Sequence, residues 1–274
     1  MNVLLGAFVI LGVTTVAVIA MLLVRRRAPD GSYFADGDRA AGVFGVLATG
    51  FSVLLGFVVF LSFTSYDTAR AGAETESLIV AQQVETAQFF APETASELTT
   101  ELVCYARSVT GIQWARMEDG SIGDSLNPWA VEMFRTIRAV APGSDTEQSA
   151  YDRWMDQTGA REQARNDRIH GAVGVIPMTL WLVLFFTALL IFSFVLFFAD
   201  SGEGPVVQGM LMGTVVAVIV AMLLLLYALD HPFHDGIGGL QPVAMERTVD
   251  IIDEQLAVAG IPDVTACDAV GNPR

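Results

Sequence analysis

The sequence predicts an all-α, polytopic membrane protein, with four transmembrane helices per subunit and a helical extramembrane domain inserted between the second and third. Three observations predict it. Four separate runs, at residues 2–24, 41–64, 174–198 and 205–229, are apolar over membrane length, and about 20 such residues suffice to cross a hydrocarbon core. Hydrophobic residues make up 53% of the 274 while charged residues reach only 16%, the balance of a chain solvated by lipid. Between the second and third runs lies a long polar stretch punctuated by prolines and helix-capping patterns. The chain therefore divides into spans one and two (1–64), the insert (65–173), spans three and four (174–229), and a tail (230–274) made of a glycine-rich turn and an amphipathic helix packed on the insert.

The first run has no basic segment before it, and Arg25, Arg26 and Arg27 follow it. A cleaved signal peptide has the opposite polarity, so this is a retained span. Positive-inside places the amino terminus outside and the 25–40 loop in the cytoplasm. With an even number of spans, both termini and the insert are then extracytoplasmic. Arg70, Arg161, Arg165 and Arg168 on that outer side balance Arg25, Arg26, Arg27 and Arg39 in the loop, but charges in a short loop beside the first span outweigh those attached to a long domain.

The second run organises the rest. It begins apolar and continues as a polar, helix-forming sequence with no proline until Pro92, so one helix joins lipid to water. At 100° per residue, positions eighteen apart share an angle. Gly45, Thr49, Ser52, Gly56, Phe60 and Phe63 fall on one side, and Asp67, Arg70 and Glu74 continue it past the membrane. A ring of such helices encloses a pore lined by small and hydroxyl residues, with a phenylalanine neck and the carboxylates of Asp67 and Glu74 at its mouth. A second reading stands beside it. Small residues also let membrane helices pack closely, and the three charges are ordinary helix-surface pairs. Glu76 points to the opposite side, toward a neighbouring helix or subunit.

Within the insert, helices are expected at about 66–91, 94–110, 128–140 and 145–170. Thr94 with Glu97 and Ser144 with Glu147 form capping-box patterns, and Asn127 is an N-cap before Pro128. Residues 119–128 are the main loop. Span three carries Pro177 near its start and Trp181 at interfacial depth; residues 200–204 allow only a tight hairpin into span four, where Gly209 and Gly213 form a small-residue packing pair. In the tail, Met245, Val249, Ile252, Leu256 and Ala259 make one stripe with acids opposite, the pattern of a helix docked on protein.

Net charge is -15, from 30 acids against 15 arginines, with lysine absent. That excess argues against a nucleic-acid partner; the use of arginine alone points to a GC-rich bacterial genome, and the expected location is a bacterial plasma (inner) membrane. The insert carries 17 acids and 9 arginines and the tail 8 acids and 2 arginines, so the outer side holds -14 of the total. Such a vestibule concentrates cations within about a Debye length, near ~8 Å. Cys104 and Cys267 lie on this same side, where an oxidising compartment makes them a candidate disulfide; the alternative is two unrelated buried thiols. His231, His234 and Asp235, with His170, are the only metal-like cluster, although the intervening Pro232 and Phe233 equally describe a turn. Enzyme motifs are missing: no phosphate loop with its lysine, no nucleophile elbow, no His-Glu-x-x-His. No charge interrupts the four apolar cores, which disfavours a proton relay or an ion-coupled transporter.

Two spans, a helical insert, two spans and a Pro-Phe motif after the fourth resemble the bestrophin-like family of bacterial membrane proteins. The matching pieces are LLGFVVFLSFTSYDTA leading to Glu74 and Glu76, LVCYARSVTGIQW around Tyr105 and Trp114, IPMTLWLVL around Pro177 and Trp181, and LDHPFHDG around Asp230, Pro232, Phe233 and Gly236. The family is distantly similar to true bestrophins, pentameric chloride channels whose second span lines the pore with phenylalanines in its neck. Phe60 and Phe63 occupy comparable places. The chain departs from the family pattern at Gln113, where a glutamate is expected, and at His231; of the calcium clasp of animal bestrophins only Asp235 remains, and the insert is expected outside rather than in the cytosol. The expectation is thus a homo-oligomeric ion channel, tetramer or pentamer, in a lipid bilayer. It takes inorganic ions and leans to cations, calcium among them, with no cofactor beyond a permeant or bound metal ion. A bestrophin-type anion channel and a non-conducting scaffold or sensor are the alternatives.

Overall fold

A computed structural model describes residues 3–121, 126–234, 236, 238–258 and 265–274. The described residues are almost entirely helical: α1 (Val3–Arg25), α2 (Gly37–Ala87), α3 (Pro92–Ser108), a π-helical segment (Val109–Gln113), α4 (Trp114–Glu118), α5 (Pro128–Ala139), α6 (Asp145–His170), α7 (Met178–Phe197), α8 (Pro205–Asp230) and α9 (Val243–Val258). Four of these helices, α1, α2, α7 and α8, are long and apolar enough to cross a membrane. The chain separates into two compact units.

One unit comprises residues 1–65, 174–230 and 235–239 and holds the membrane helices. Helix α8 brings Gly209 and Gly213 against Val18 and Thr14 of α1, which is how a small-residue pair lets two apolar helices come close without a hydrophobic driving force. Ala17, Met21, Met212 and Val216 fill that seam, while Phe51, Leu55 and Val58 of α2 pack with Leu184, Ile191 and Leu226 of α7 and α8. Span three starts at Met178, later than expected, because Pro177 serves as its N-cap residue with ψ of 145° and the preceding turn is taken up elsewhere: Asp230 accepts the backbone N–H of Ile176 at 3.1 Å. At the other end, the tight loop before α8 is tied to the α1–α2 connection. Arg25 donates to the carbonyls of Ser201 and Glu203, and Asp200 accepts from the amides of Gly31 and Gly202. The last two bonds hold the Asp200 carboxyl below its ordinary pKa.

The second unit comprises residues 66–173, 231–234 and 240–274. Its core is built on α3, whose Leu98, Leu102, Val103 and Tyr105 are fully buried with Trp129 and Met133 of α5, Trp154 of α6 and Met245 and Ile252 of α9. Val249 and Leu256 complete the α9 stripe, and Ala259 lies outside the described residues. Asn127 accepts from the amide of Trp129, and Ser144 from that of Glu147, so both expected caps form. The capping box at Thr94 does not. Pro92 already occupies the first helical position after Ala91, with no side-chain cap, because proline's missing N–H and fixed φ suit a helix start; Thr94 therefore sits inside the first turn. Nor does the helix stop near residue 110. It widens into the π segment and winds on to Glu118, which carries Trp114 and Met117 into a core with Ala69, Ala172 and Phe233. Cys104 and Cys267 are joined by a disulfide across 163 residues, fixing the carboxy-terminal turn to α3.

Candidate functional site

On α2, the residues named by helical periodicity lie within the side that the described residues leave uncovered, a side that also carries Val46, Val53 and Phe57. Gly45, Thr49, Ser52 and Gly56 are exposed, as are Phe60 (64%) and Phe63 (52%). Around Gly45 and Gly56 a Cβ would meet nothing within 4 Å, so among the described residues these glycines serve no close approach. The opposite side carries Phe51, Leu55, Val58 and Ser62, all buried. Ser52 and Thr64 bond back to the carbonyls of Ala48 and Phe60, which satisfies their hydroxyls within the helix.

Past residue 65, α2 belongs to the second unit. There Asp67 and Glu74 are exposed, and Glu74 accepts from Arg70 at 3.1 Å. The carboxylate raises the pKa of Arg70, first through that hydrogen bond and then through its charge. Glu74 thus stands as half of an exposed i,i+4 ion pair, which contributes little in water, and the charge of Asp67 acts on the same arginine.

On the reverse of the same segment a buried polar centre forms. Glu76 has no exposed surface and accepts from Arg168 Nε (2.5 Å), Arg168 Nη2 (3.0 Å) and the Tyr105 hydroxyl (2.6 Å). Arg168 Nη2 also donates to Gln113 Oε1 at 3.1 Å. A bidentate, further hydrogen-bonded pair is the geometry that a buried charge requires. Burial lowers the Arg168 pKa but Glu76 more than reverses it; burial and then the carboxylate push the Tyr105 phenol well above its ordinary value. Two turns earlier on α6, Arg161 donates to Gln83 and stands 4.8 Å from the Tyr105 ring centroid, a cation–π contact. Gly72 makes this packing possible. A Cβ there would come within 2.7 Å of the Ala164 carbonyl oxygen and the Arg168 amide.

The histidines are not assembled into a metal centre. His234 Nδ1 lies 2.7 Å from the carbonyl of His231, closing the turn that buries Phe233 edge-on against Trp114 at 5.2 Å, and His170 is exposed at the end of α6. Among the described residues no three His, Cys, Asp or Glu side chains are placed to hold an ion; Asp235 lies outside the described residues.

Known proteins give this arrangement its context. A family model for the Bestrophin-like domain matches residues 9–244. The chain belongs to the Bestrophin-like family. Two point variants of a bacterial bestrophin homologue from Klebsiella pneumoniae, known from crystal structures, share the fold: one with a TM-score of 0.70 at 15% identity over 92% of this chain and 99% of that one, another with 0.68 at 17% identity over 89% and 98%. A further crystallised membrane protein matches with a TM-score of 0.68 at 16% identity, over 92% of this chain and 98% of its own. Among curated proteins none matches. This Bestrophin-like chain is therefore a multi-pass membrane protein of that fold.

Sequence reading placed Glu76 on the inner side of α2 but missed its partner. Arg168 was counted only as a charge flanking the membrane. The signal was present: Ala150, Trp154, Gln157, Arg161, Ala164 and Arg168 recur at helical spacing and are the buried residues of α6, so two arginines continue an apolar stripe.

Proposed function

We propose that this Bestrophin-like protein assembles as a ring, tetramer or pentamer, around its α2 helices and conducts ions along the axis between them. Gly45, Thr49, Ser52 and Gly56 would line the pore, with Phe60 and Phe63 as a hydrophobic neck that gates by dewetting. One observation carries the reading: a small, hydroxylated and then phenyl-bearing face stands exposed along a membrane-crossing helix whose other side is packed within the subunit. Exposed hydroxyls and glycines gain nothing from facing lipid, whereas a water-filled axis accommodates them. Family membership supports the same class of activity.

The insert would be extracytoplasmic. Its support is the arginine cluster of the first loop together with the disulfide between Cys104 and Cys267, since such bonds persist in oxidising compartments. The vestibule is then strongly acidic, and cations, calcium among them, are the favoured permeants. A second reading, an anion channel, has one observation in its favour: Arg70 pairs with Glu74 and offsets part of the acidic charge that Asp67 and Glu74 would bring to the mouth. Reversal potentials in reconstituted bilayers under a salt gradient separate the two. A shift toward the cation potential, reduced by Asp67→Asn, is expected; a shift toward the anion potential overturns the cation assignment, and no current overturns conduction. In the same recordings Phe60→Ala with Phe63→Ala raises conductance, and unchanged currents would remove both from the neck.

A further inference from the structure

Residues 265–274 form a turn closed on itself. The amide of Asp268 donates to the Asn272 carbonyl at 2.9 Å and that of Arg274 to the Ala266 carbonyl at 3.0 Å, while the Asp268 carboxylate accepts from the amides of Val270 and Asn272. These bonds give the turn its shape but tie it to nothing else. Among the described residues a single hydrogen bond does that, from Trp129 Nε1 to the Gly271 carbonyl at 2.7 Å. Apolar packing adds little. Of the residues in the turn only Cys267 and Gly271 are buried, and Val270 is 43% exposed. Little surface leaves water when such a turn docks, while ordering it costs conformational entropy at every residue. The remaining tie is covalent, the disulfide from Cys267 to Cys104 of α3.

Where the turn docks, it lies against a junction. Gly271, at φ of +82°, comes so near α3 that a Cβ there would overlap the backbone of Ser108, and a Cβ on Gly111 would meet that of Val270 at 2.9 Å. Ser108 Oγ accepts from Asn127 Nδ2 at 2.7 Å, at the start of α5, and from Gln113 Nε2 at 3.4 Å, at the end of the π segment. Gln113 Oε1 accepts from Arg168 Nη2. A continuous run of contacts thus leads from the turn through Ser108 and Gln113 to the Glu76–Arg168 pair, the physical condition for coupling between separate places in a fold.

We infer that the carboxy-terminal turn is a redox-sensitive latch, seated on α3 and the π segment while Cys104 and Cys267 are joined and released when a dithiol reduces them. One thiolate of the dithiol attacks a sulfur of the bond and displaces the other as thiolate; the second thiol then closes on the mixed disulfide. Two electrons and two protons pass to the protein as a pair of thiols, and the dithiol leaves as a disulfide. Cys104 and Cys267 are buried, so the reductant reaches them only as the turn lifts, and cleavage is slow. Once free, the turn withdraws the acceptor of Trp129 Nε1 and uncovers Ser108, which loosens the start of α5 and the π segment. None of this depends on conduction.

The test exposes the full-length protein in nanodiscs to dithiothreitol, follows amide hydrogen exchange by mass spectrometry and counts free thiols by maleimide labelling of parallel samples. Both thiols are expected to appear with helix content kept. Amides of the turn then lose protection, and those of residues 108–113 and of Trp129 and Ala130 exchange about tenfold faster, while the buried amides of α6 keep theirs. Reoxidation restores the slow exchange. Gly271→Ala sets a methyl group against Ser108 and should speed reduction about tenfold, through a turn that lifts more often. A turn that stays protected once both thiols are free would overturn the latch, as would a bond that resists dithiothreitol until the protein unfolds. Exchange rising equally through α3, α5 and α6, or an unchanged rate of reduction in Gly271→Ala, would overturn it too.

Discussion

Glu76 and Arg168, both with no exposed surface, set the largest single-residue stakes in the extramembrane unit. Removing one partner strands the other's charge in a low-dielectric core, a loss of about 3–5 kcal/mol. Arg168→Met should therefore lower the thermal midpoint sharply in calorimetry, while Glu76→Gln combined with Arg168→Met recovers most of the loss; an equally unstable double variant contradicts the account. Glu101 makes a pH dependence at the same scale. Burial raises its carboxyl from 4.5 to about 7, Glu97 and Glu132 add to the rise, and the Thr136 hydroxyl opposes it. The folded state then holds a proton that the unfolded state has lost, so stability falls as pH climbs from about 4.5 to about 7. Glu101→Gln should flatten that part of the thermal-midpoint profile, and an unaltered slope would remove Glu101 as its source. Unlike Glu76 and Arg168, Glu101 was not legible as buried in the sequence. Glu101 looks like any helical acid, and only tertiary packing from α5 covers it.

At the scale of the element, α2 was the most legible part of the chain and α3 the least. An apolar run followed without proline by helix formers admits one continuous helix, and 51 residues form it. The inward seam of α2 follows from 100° geometry alone. By contrast, the start of α3 went to proline rather than to the Thr94 box, and its π segment left no local mark, because the widened turn answers to the tail pressing on Gly111, where a Cβ would meet Val270 at 2.9 Å. The two sides of α2 differ in what a methyl group does. Gly72→Ala must push α6 away and should destabilise by about 1–3 kcal/mol. Gly56→Ala enters open space and should leave the subunit as stable or up to about 1 kcal/mol more so, through helix propensity. Thermal unfolding of the two variants checks this, and the reverse ranking would contradict the packing described.

For the whole molecule, four apolar runs, one polar insert and two cysteines on one side conveyed the architecture, because hydrophobic length and chain order are properties of sequence. What lies against the open side of α2 is a property of assembly, and no pattern within one chain encodes it uniquely: small residues suit both a pore and a packed interface. The two native cysteines are tied to each other, so a thiol introduced on α2 is the reactive one. That permits a direct measurement. Ser52→Cys and Val53→Cys place thiols about 100° apart on exposed parts of the helix, Val53 being 68% exposed. Under bilayer recording, a charged, membrane-impermeant methanethiosulfonate should block current through the Ser52→Cys protein and leave the Val53→Cys protein conducting. Block at position 53 with none at 52, or indifference of both in an actively conducting protein, would contradict a pore lined by this face.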